Sequence, residues 1–323
     1  MYDEIIRADI FNEFTEYRIA SSAWSRTYQS NLDAFDRYCK QFFPENPRLS
    51  QEMLNGWYTK KSTEGHASMR SRTQVVTTLI RYIQQRYTTN LMLPELPRNY
   101  KNQYIPHAFS NEEMNAFFAE CDRRVLIAPE GEAALNALTI SVICRTLYST
   151  GMRTTEARLL KTDDVNFDEG IISIVTTKGN RQHFVALDPT VTAMLLKYNT
   201  TTERLHPERK YFFYNKTSTE PISAHELRYQ FQKRWRSVNI SHAIPYDLRH
   251  NYAIQNINRW ISSGTEFHDK FLYLSKSMGH SCLESTKYYY SLTPGLANIM
   301  YSCGNDSFSD LVPEVICYEE ETE

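Results

Sequence analysis

The sequence has 323 residues, of which 41% are hydrophobic, and a formal net charge of −2. This length suffices for two domains with separate cores, since single domains usually contain roughly 100 to 200 residues. No apolar run reaches the ~20 residues that a membrane-spanning helix needs. The charged start of the chain also lacks the basic and apolar pattern of a secretory signal. We therefore expect a cytoplasmic protein without a membrane partner.

The cysteines are scattered, without a Cys-x-x-Cys pair or a histidine spacing typical of a zinc site. We expect them to be reduced and mostly buried, because free cysteine is usually an interior residue. They are Cys39, Cys121, Cys144, Cys282, Cys303 and Cys317. Neither a metal nor a disulfide framework is predicted.

Charge is unevenly distributed along the chain, with acidic residues concentrated at both ends. Residues 60–86 carry several basic side chains against one acid, Glu64. This pattern predicts a surface that faces DNA phosphates, with an ordinary solvated helix face as the alternative. The basic residues are Lys60, Lys61, Arg70, Arg72, Arg81 and Arg86.

The first part of the chain has the periodicity of helices. Apolar and aromatic residues recur at three- and four-residue steps from Trp24 to Phe42 and from Val75 to Tyr87. We predict a helical domain over residues 1–93. The prolines that follow favour an extended linker over residues 94–109, and they are Pro94, Pro97 and Pro106.

The second domain, predicted over residues 110–293, mixes helices with a β-hairpin. Ser110 and Glu113 form a capping box, a second helix begins near Glu132, and further helices are expected from Val191 and from Ala224. Residues 170–187 change to a β-rich pattern on either side of Lys-Gly-Asn, which indicates a hairpin. The predicted class is mainly α with a small antiparallel β-sheet. The last helix carries a second basic cluster, Arg228, Lys233, Arg234 and Arg236.

Four segments of this second domain carry polar residues in a distinctive order. They are YSTGMRTTE at 148–156, IVTTKGNR at 174–181, PYDLRH at 245–250 and SMGHSCLESTKYYY at 277–290. Each segment alone has an ordinary structural explanation. Together they resemble the active-site motifs of the tyrosine recombinase or phage integrase family.

The first two segments match the family's Y-x-T-G-x-R-x-x-E and T-x-K-G-x-K/R. The resemblance implies that Arg153 binds the scissile phosphate with its planar charged fork, and Glu156 can brace it. Gly151 supplies the turn between two helices. Lys178, at the hairpin turn, is expected to protonate the leaving 5′ oxygen as general acid.

The third segment matches the family's P-H-x-L-R-H at Arg249 but departs from it at Tyr246, where the family has histidine. A tyrosine hydroxyl can donate a hydrogen bond to phosphate, but its ordinary pKa of about 10 makes it a poor base. We therefore expect an electrostatic role for Tyr246. His242 lies off the expected spacing and is predicted to be a surface loop residue.

The fourth segment matches the family's L-G-H-x-x-x-x-x-T-x-x-Y. The family places its nucleophile nine residues after the histidine, so His280 selects Tyr289 over its neighbours Tyr288 and Tyr290. His280 is expected to contact a nonbridging phosphate oxygen. The resemblance implies transesterification through a 3′-phosphotyrosine, with the donors supplied by side chains and without metal, cofactor or ATP.

The resemblance also implies partners. The protein is expected to bind double-stranded DNA with recombination sites, to be a monomer or dimer when free and a tetramer on DNA, and to use accessory excision or bending proteins. A nucleoid-associated location and a role in mobile-element integration follow. Residues 294–323 resemble the family's subunit-docking tail, with a docking face formed by Phe308, Leu311, Val312, Val315 and Ile316.

Two alternatives remain at this point. A type IB topoisomerase shares the phosphotyrosine chemistry but relaxes supercoils as a monomer. A non-catalytic DNA-binding relative is the other, and Tyr246 in place of histidine is the feature that favours it. The separate helical domain, the Gly-His to Tyr spacing and the docking tail favour recombination.

Overall fold

A computed structural model describes residues 6–95, 106–175, 182–214, 220–260, 267–279, 286 and 289. The chain divides into two compact units, residues 1–104 and 105–323. This division falls within the linker predicted over residues 94–109, of which 96–105 lie outside the described part.

The described part of the first unit contains a bundle of helices. Their bounds are α1 (Arg7–Ala20), α2 (Arg26–Phe42), α3 (Gln51–Tyr58) and α4 (His66–Arg86). The two helices predicted from periodicity are confirmed as α2 and α4. Ser25 caps α2 by accepting a hydrogen bond from the backbone N–H of Tyr28 at 3.3 Å, which is why the helix begins after Trp24 rather than at it.

The core of the first unit is rich in aromatic side chains. Phe35 lies at its centre and packs against Trp57 with ring centroids 5.1 Å apart, and Phe14 packs edge-on against Tyr82 at 5.4 Å. Large rings bury much apolar area for few ordered torsions, so they stabilise a small bundle efficiently.

The described part of the second unit is mainly helical and carries one small sheet. Its helices are α5 (Asn111–Ile127), α6 (Glu132–Thr150), α7 (Thr154–Leu159), α8 (Pro189–Glu203), α9 (Ala224–Val238), α10 (Asp247–Trp260) and α11 (Phe267–Ser277). Its strands are β1 (Val165–Asn166), β2 (Ile171–Ile174) and β3 (His183–Ala186). This architecture confirms the predicted fold class.

The starts of these helices follow from their sequence. The predicted capping box is present at α5, where Ser110 accepts from the backbone N–H of Glu113 and Glu113 accepts from that of Ser110. Helix α6 is buried along most of its length, as expected for a helix with apolar residues on all faces. It is the central element of the main core, around Leu147 and Phe117.

The three strands are antiparallel in the order β1-β2-β3, with Ile172 opposite Val185 in the hairpin. The two strands of the predicted hairpin are therefore confirmed. Its turn, with Lys178, lies outside the described residues.

A second, smaller apolar cluster lies between α10 and α11. It contains Ala253, Ile257, Phe271, Leu274, Met278 and Tyr289. This cluster holds Tyr289, the residue selected by the motif spacing. Among the helices that the structure describes, none combines the length and apolar character that a membrane crossing requires.

Candidate active site

Arg153 lies at a sharp turn between two helices. Helix α6 ends at Gly151, whose φ of +64° favours glycine. Two residues later Arg153 precedes α7, and its Nη1 donates to Glu156 Oε1 at 2.5 Å while its backbone N–H donates to Oε2 at 2.8 Å. Glu156 is only 3% exposed, so these two bonds to Arg153 are shielded from solvent.

The other side of Arg153 is held by the end of α11. Its Nη2 donates to the carbonyl oxygen of Gly279 at 2.7 Å. Gly279 has a φ of +62°, and a Cβ added there would lie 2.6 Å from His183 Cε1 and 3.0 Å from Arg153 Nη1. A side chain at this position would therefore displace His183, crowd the guanidinium of Arg153 and strain the backbone.

Arg249 reaches the same two turns from α10. The buried carboxylate of Asp247 accepts from the backbone N–H of Ile244 at 2.9 Å, which fixes the start of the helix. Arg249 is 1% exposed, and its two Nη atoms donate to the carbonyl oxygens of Gly151 at 2.7 Å and Met278 at 2.8 Å. The two predicted phosphate-binding arginines are thus brought together by the ends of α6 and α11.

The electrostatics of this cluster favour an anion. Burial lowers the pKa of Arg249, and the positive charge of Arg153 adds to that effect, while Tyr246, Tyr289 and Glu156 oppose it. A guanidinium nevertheless stays protonated in proteins. The two guanidinium groups, of which Arg153 is partly offset by Glu156, therefore form a preorganised site with a net positive charge, and the low dielectric around Arg249 strengthens its interaction with an anion relative to water.

Tyr289 lies beside this positive site. Its side chain is 3% exposed and packs in the cluster between α10 and α11. Its hydroxyl is 3.1 Å from Nδ1 of His250, and the two ring centroids are 5.5 Å apart. The predicted nucleophile thus has its reactive oxygen in contact with an imidazole on α10.

Tyr246 lies directly before α10 and is 38% exposed. Its ring packs edge-on against His250 with centroids 5.0 Å apart. The residue that replaces the family's histidine therefore borders both solvent and the His250 ring.

Several predicted residues lie outside the described part of the chain. They are Lys178, His280, Tyr288, Tyr290 and the docking face of residues 308–316. Their roles stay predictions.

No role was predicted for His250 from the sequence. Its only signal was its place in the last position of PYDLRH, directly after Arg249. The contact with Tyr289 joins residues 39 positions apart, and local periodicity does not reveal such a pairing. His242 is exposed, in agreement with its predicted surface position.

The predicted DNA-contact residues in the first unit need one correction. Arg72 is 6% exposed rather than on the surface. Its guanidinium bonds both carboxylate oxygens of Glu64, at 2.8 and 2.7 Å, and stacks 4.5 Å over the ring of Trp57. Its charge is used inside the unit. Of the other residues, Arg70 is partly buried, and Lys60, Lys61, Arg81 and Arg86 are exposed.

A second correction concerns α9. Arg234 is 3% exposed, and its Nη1 donates to the carbonyl oxygen of Gln230 at 3.1 Å and to Gln230 Oε1 at 2.6 Å. The period of the helix turns this residue toward the core, beside Trp235. Arg228, Lys233 and Arg236 are exposed, so the predicted surface retains three of its four charges.

Comparison with known proteins identifies the family of this chain. Residues 108–295 match the model of the phage integrase family. The chain is 21% identical over 297 residues to the tyrosine recombinase XerA of Pyrococcus horikoshii, covering 90% of this chain and 92% of that protein. It is 26% identical over 197 residues to the tyrosine recombinase XerC of Staphylococcus saprophyticus, covering 60% of each.

Solved structures share the fold. The XerH site-specific recombinase in a post-cleavage complex with palindromic difH superposes with a TM-score of 0.60 at 17% identity, covering 86% of this chain and 78% of that one. The Tn1549 transposon integrase in complex with transposon right end DNA gives 0.57 at 13% identity, covering 93% and 99%. The relatives named here are recombinases or integrases, which does not favour the topoisomerase alternative. The chain belongs to the phage integrase family and is a tyrosine recombinase, an enzyme that breaks and rejoins DNA.

Proposed function

We propose that this enzyme is a site-specific recombinase that cuts one DNA strand with Tyr289 and stores the bond energy as a 3′-phosphotyrosine. The observation that carries this proposal is the convergence of Arg153, Arg249 and Tyr289. Arg249 bonds the turns at the ends of α6 and α11, and Arg153 follows the first turn and bonds the second. Tyr289 is close enough to Arg249 to affect its pKa, and its hydroxyl contacts His250, the residue after Arg249. These residues come from distant parts of the sequence, and nucleophilic displacement at a phosphodiester requires them together.

In the proposed reaction the scissile phosphate binds between the two guanidinium groups. The Tyr289 oxygen attacks phosphorus, a new O–P bond forms, and the bond from phosphorus to the 5′ oxygen breaks. Lys178 gives a proton to the departing 5′ oxygen. His280 and Tyr246 supply further hydrogen-bond donors to the phosphate. Rejoining is the reverse reaction with the 5′ hydroxyl of another strand, so no ATP is consumed.

The nucleophile can be tested without knowing the DNA target. A pool of nicked duplexes with a randomised central segment is incubated with the protein, and complexes that survive denaturation in detergent are isolated and sequenced. A nick near the cleavage point lets the short 5′ fragment diffuse away, which traps the covalent adduct. We expect enrichment of one site and loss of the adduct in Tyr289→Phe.

Tyr288→Phe and Tyr290→Phe are the matched controls, since they remove one hydroxyl each from neighbouring tyrosines. Both should retain the adduct. If Tyr289→Phe still forms the adduct, Tyr289 is not the nucleophile. If the adduct is lost instead in Tyr288→Phe or in Tyr290→Phe, that tyrosine is the nucleophile. No adduct with any sequence in the pool would favour the non-catalytic relative.

We further propose that the enzyme integrates and excises a mobile element. The Tn1549 transposon integrase bound to transposon DNA supports this role by its shared fold, and the lambda integrase tetramer on a Holliday junction supports a tetramer on DNA, with a TM-score of 0.58. A cytoplasmic, nucleoid-associated location and the use of accessory proteins belong to the same proposal. The test is to find the ends of a mobile element next to the gene and to detect their joining in cells. Joining that requires an intact Tyr289 would establish this role.

The DNA-facing surfaces are also part of this proposal. Exposed basic residues of the first unit and of α9 are proposed to contact phosphates, which fix the position of a protein on DNA without reading sequence. They are Lys60, Lys61, Arg81, Arg86, Arg228, Lys233 and Arg236, with the partly buried Arg70 at the edge. The tail after residue 293 is proposed to dock on a neighbouring subunit.

A further inference from the structure

One titratable group in contact with the proposed nucleophile has no role in the reaction described above. His250 is half-buried in the first turns of α10. Its Nδ1 lies 3.1 Å from the Tyr289 hydroxyl, which is hydrogen-bonding distance and also the distance across which a general base takes a proton.

The proton of Tyr289 needs an acceptor because a neutral phenol is a weak nucleophile. In the related motif P-H-x-L-R-H the position of Tyr246 is a histidine, whereas a phenol with an ordinary pKa of about 10 does not accept protons near neutral pH. Tyr246 packs edge-on against the His250 ring, with ring centroids 5.0 Å apart. Of these two neighbouring side chains, only the imidazole of His250 can accept a proton near neutral pH.

We propose that His250 is a catalytic residue that accepts the proton of Tyr289 during DNA cleavage and returns it during rejoining. The inference rests on Tyr289 being the nucleophile. In cleavage the Tyr289 O–H bond breaks as its oxygen bonds phosphorus, and the proton moves to Nδ1 of His250. The 5′ oxygen separately receives its proton from Lys178. In rejoining, the phosphotyrosine bond breaks and the imidazolium gives its proton back to the phenolate oxygen.

The charges around His250 keep it neutral before DNA binds. Burial lowers the pKa of His250 to about 4, and the positive charge of Arg249 adds to that effect. Among the described residues, the groups facing this ring are Tyr246, Arg249 and Tyr289, with Arg153 and Glu156 beside Arg249. A neutral imidazole with its proton on Nε2 presents a lone pair on Nδ1, as the acceptor role requires.

DNA binding should make this base stronger. A scissile phosphate between the two arginines places negative charge close to Arg249, which offsets the effect of that guanidinium on the imidazole. Because burial, the larger cause of the low pKa, remains, the pKa of His250 should rise only part of the way from about 4 toward its ordinary value of about 6.5. Because the base must be neutral, cleavage should fall as the pH drops through that pKa and be constant above it.

The direct test compares single-turnover cleavage by His250→Asn with the wild type on the nicked site recovered from the pool. Asparagine keeps a polar atom near the position of Nδ1 but does not accept a proton. We expect cleavage to slow by about 10²- to 10⁴-fold, the usual contribution of a general base, with DNA affinity and thermal unfolding unchanged. His242→Asn is the matched control, since His242 is exposed, and it should cleave at the wild-type rate.

Two further measurements separate a base from a packing residue. Added imidazole should restore cleavage to His250→Gly, with a rate that rises with the basicity of substituted imidazoles. A substrate with sulfur at the 5′ bridging position should rescue Lys178→Ala but not His250→Asn, because a thiol, with a pKa of about 8.5, leaves without a proton donor.

The outcomes distinguish this inference from the proposed function. An adduct in Tyr289→Phe would remove the nucleophile and with it both proposals. Loss of the adduct in Tyr289→Phe with wild-type cleavage by His250→Asn would overturn the base alone. If the variants fold poorly, the wild-type enzyme still decides, because a cleavage rate that stays flat from pH 7 down to pH ~4 contradicts a base whose pKa lies within that range.

Discussion

Arg72 in the first unit and Arg249 in the second are both almost fully buried, at 6% and 1% exposure, but their partners differ in charge. Arg72 bonds both oxygens of the Glu64 carboxylate and stacks on Trp57. Arg249 donates to the carbonyl oxygens of Gly151 and Met278. The first arginine joins α4 to the segment that follows α3, and the second joins α10 to the ends of α6 and α11.

The two arginines differ in whether a bonded partner neutralises the charge of the guanidinium. A carboxylate partner cancels the charge of a guanidinium, so a pair such as Arg72 and Glu64 serves the fold. Carbonyl oxygens carry no net charge, so the two bonds of Arg249 fix its position and leave its electrostatic field in place. Burial therefore does not separate Arg72 from Arg249, whereas their partners do. Arg153 combines both kinds of partner, since it bonds the Glu156 carboxylate and the carbonyl oxygen of Gly279, so a carboxylate partner does not by itself exclude a role in the site.

The largest expected effect is on the second arginine. Arg249→Lys should slow single-turnover cleavage of the nicked site by about 10³-fold, or about 4 kcal/mol. A lysine retains the positive charge, but its ammonium is a point charge without a planar fork. It therefore does not bond the carbonyl oxygens of Gly151 and Met278 and face a phosphate at the same time. The measurement is the rate of covalent adduct formation at saturating protein.

Arg72→Lys is the control for that variant, since it makes the same exchange at a buried site without a proposed catalytic role. Its cleavage rate at saturating protein should equal that of the wild type. An equal loss in both variants would mean that the partners of a buried arginine do not predict its role.

Arg72 should matter for stability instead. Arg72→Met should lower the free energy of unfolding of the chain by about 3 kcal/mol, because it leaves the Glu64 carboxylate, whose side chain is 10% exposed, without its cation. Denaturant unfolding followed by the fluorescence of the tryptophans measures this loss. The double variant Arg72→Met/Glu64→Met should regain much of the stability, and a double variant as unstable as the single one would count against the ion pair as the cause.

Substitutions of Tyr246, which lies beside His250, should have a smaller effect on the cleavage rate. Tyr246→Phe should slow cleavage by about 10- to 100-fold, since one lost hydrogen-bond donor corresponds to ~1.4 to 2.7 kcal/mol. Tyr246→His should be tolerated, because histidine also donates a hydrogen bond. Adduct formation on the nicked site measures both variants, and complete loss in both would indicate a further role for this position.

The sequence predicted what depends on local pattern. The capping box at Ser110, the helices α2 and α4, and the strands on either side of Lys178 follow from spacing and turn chemistry. The order of the motifs selected Arg153, Arg249 and Tyr289, and the structure brings all three together.

What the sequence did not predict depends on contacts between distant residues. Arg72 belongs to a run of basic residues, and only the fold turns it inward to Glu64. His250 follows Arg249 directly in the sequence, yet its partner Tyr289 lies 39 residues further along the chain. Neither charge runs nor periodicity contain the three-dimensional information that distinguishes these pairs.

The smallest expected effect concerns the exposed charges of residues 60–86. Lys60→Ala and Arg81→Ala should each weaken DNA binding only a few-fold, and each should lower the slope of log affinity against log salt concentration by about 1, because each removes one phosphate contact and the counterion release that accompanies it. Titration of labelled duplex at several salt concentrations measures both quantities. Lys197→Ala, an exposed charge on α8 that belongs to neither basic cluster, is the matched control and should leave the slope unchanged. Equal slopes for all three variants would show that the exposed residues of 60–86 are an ordinary solvated helix face, like the charge on α8.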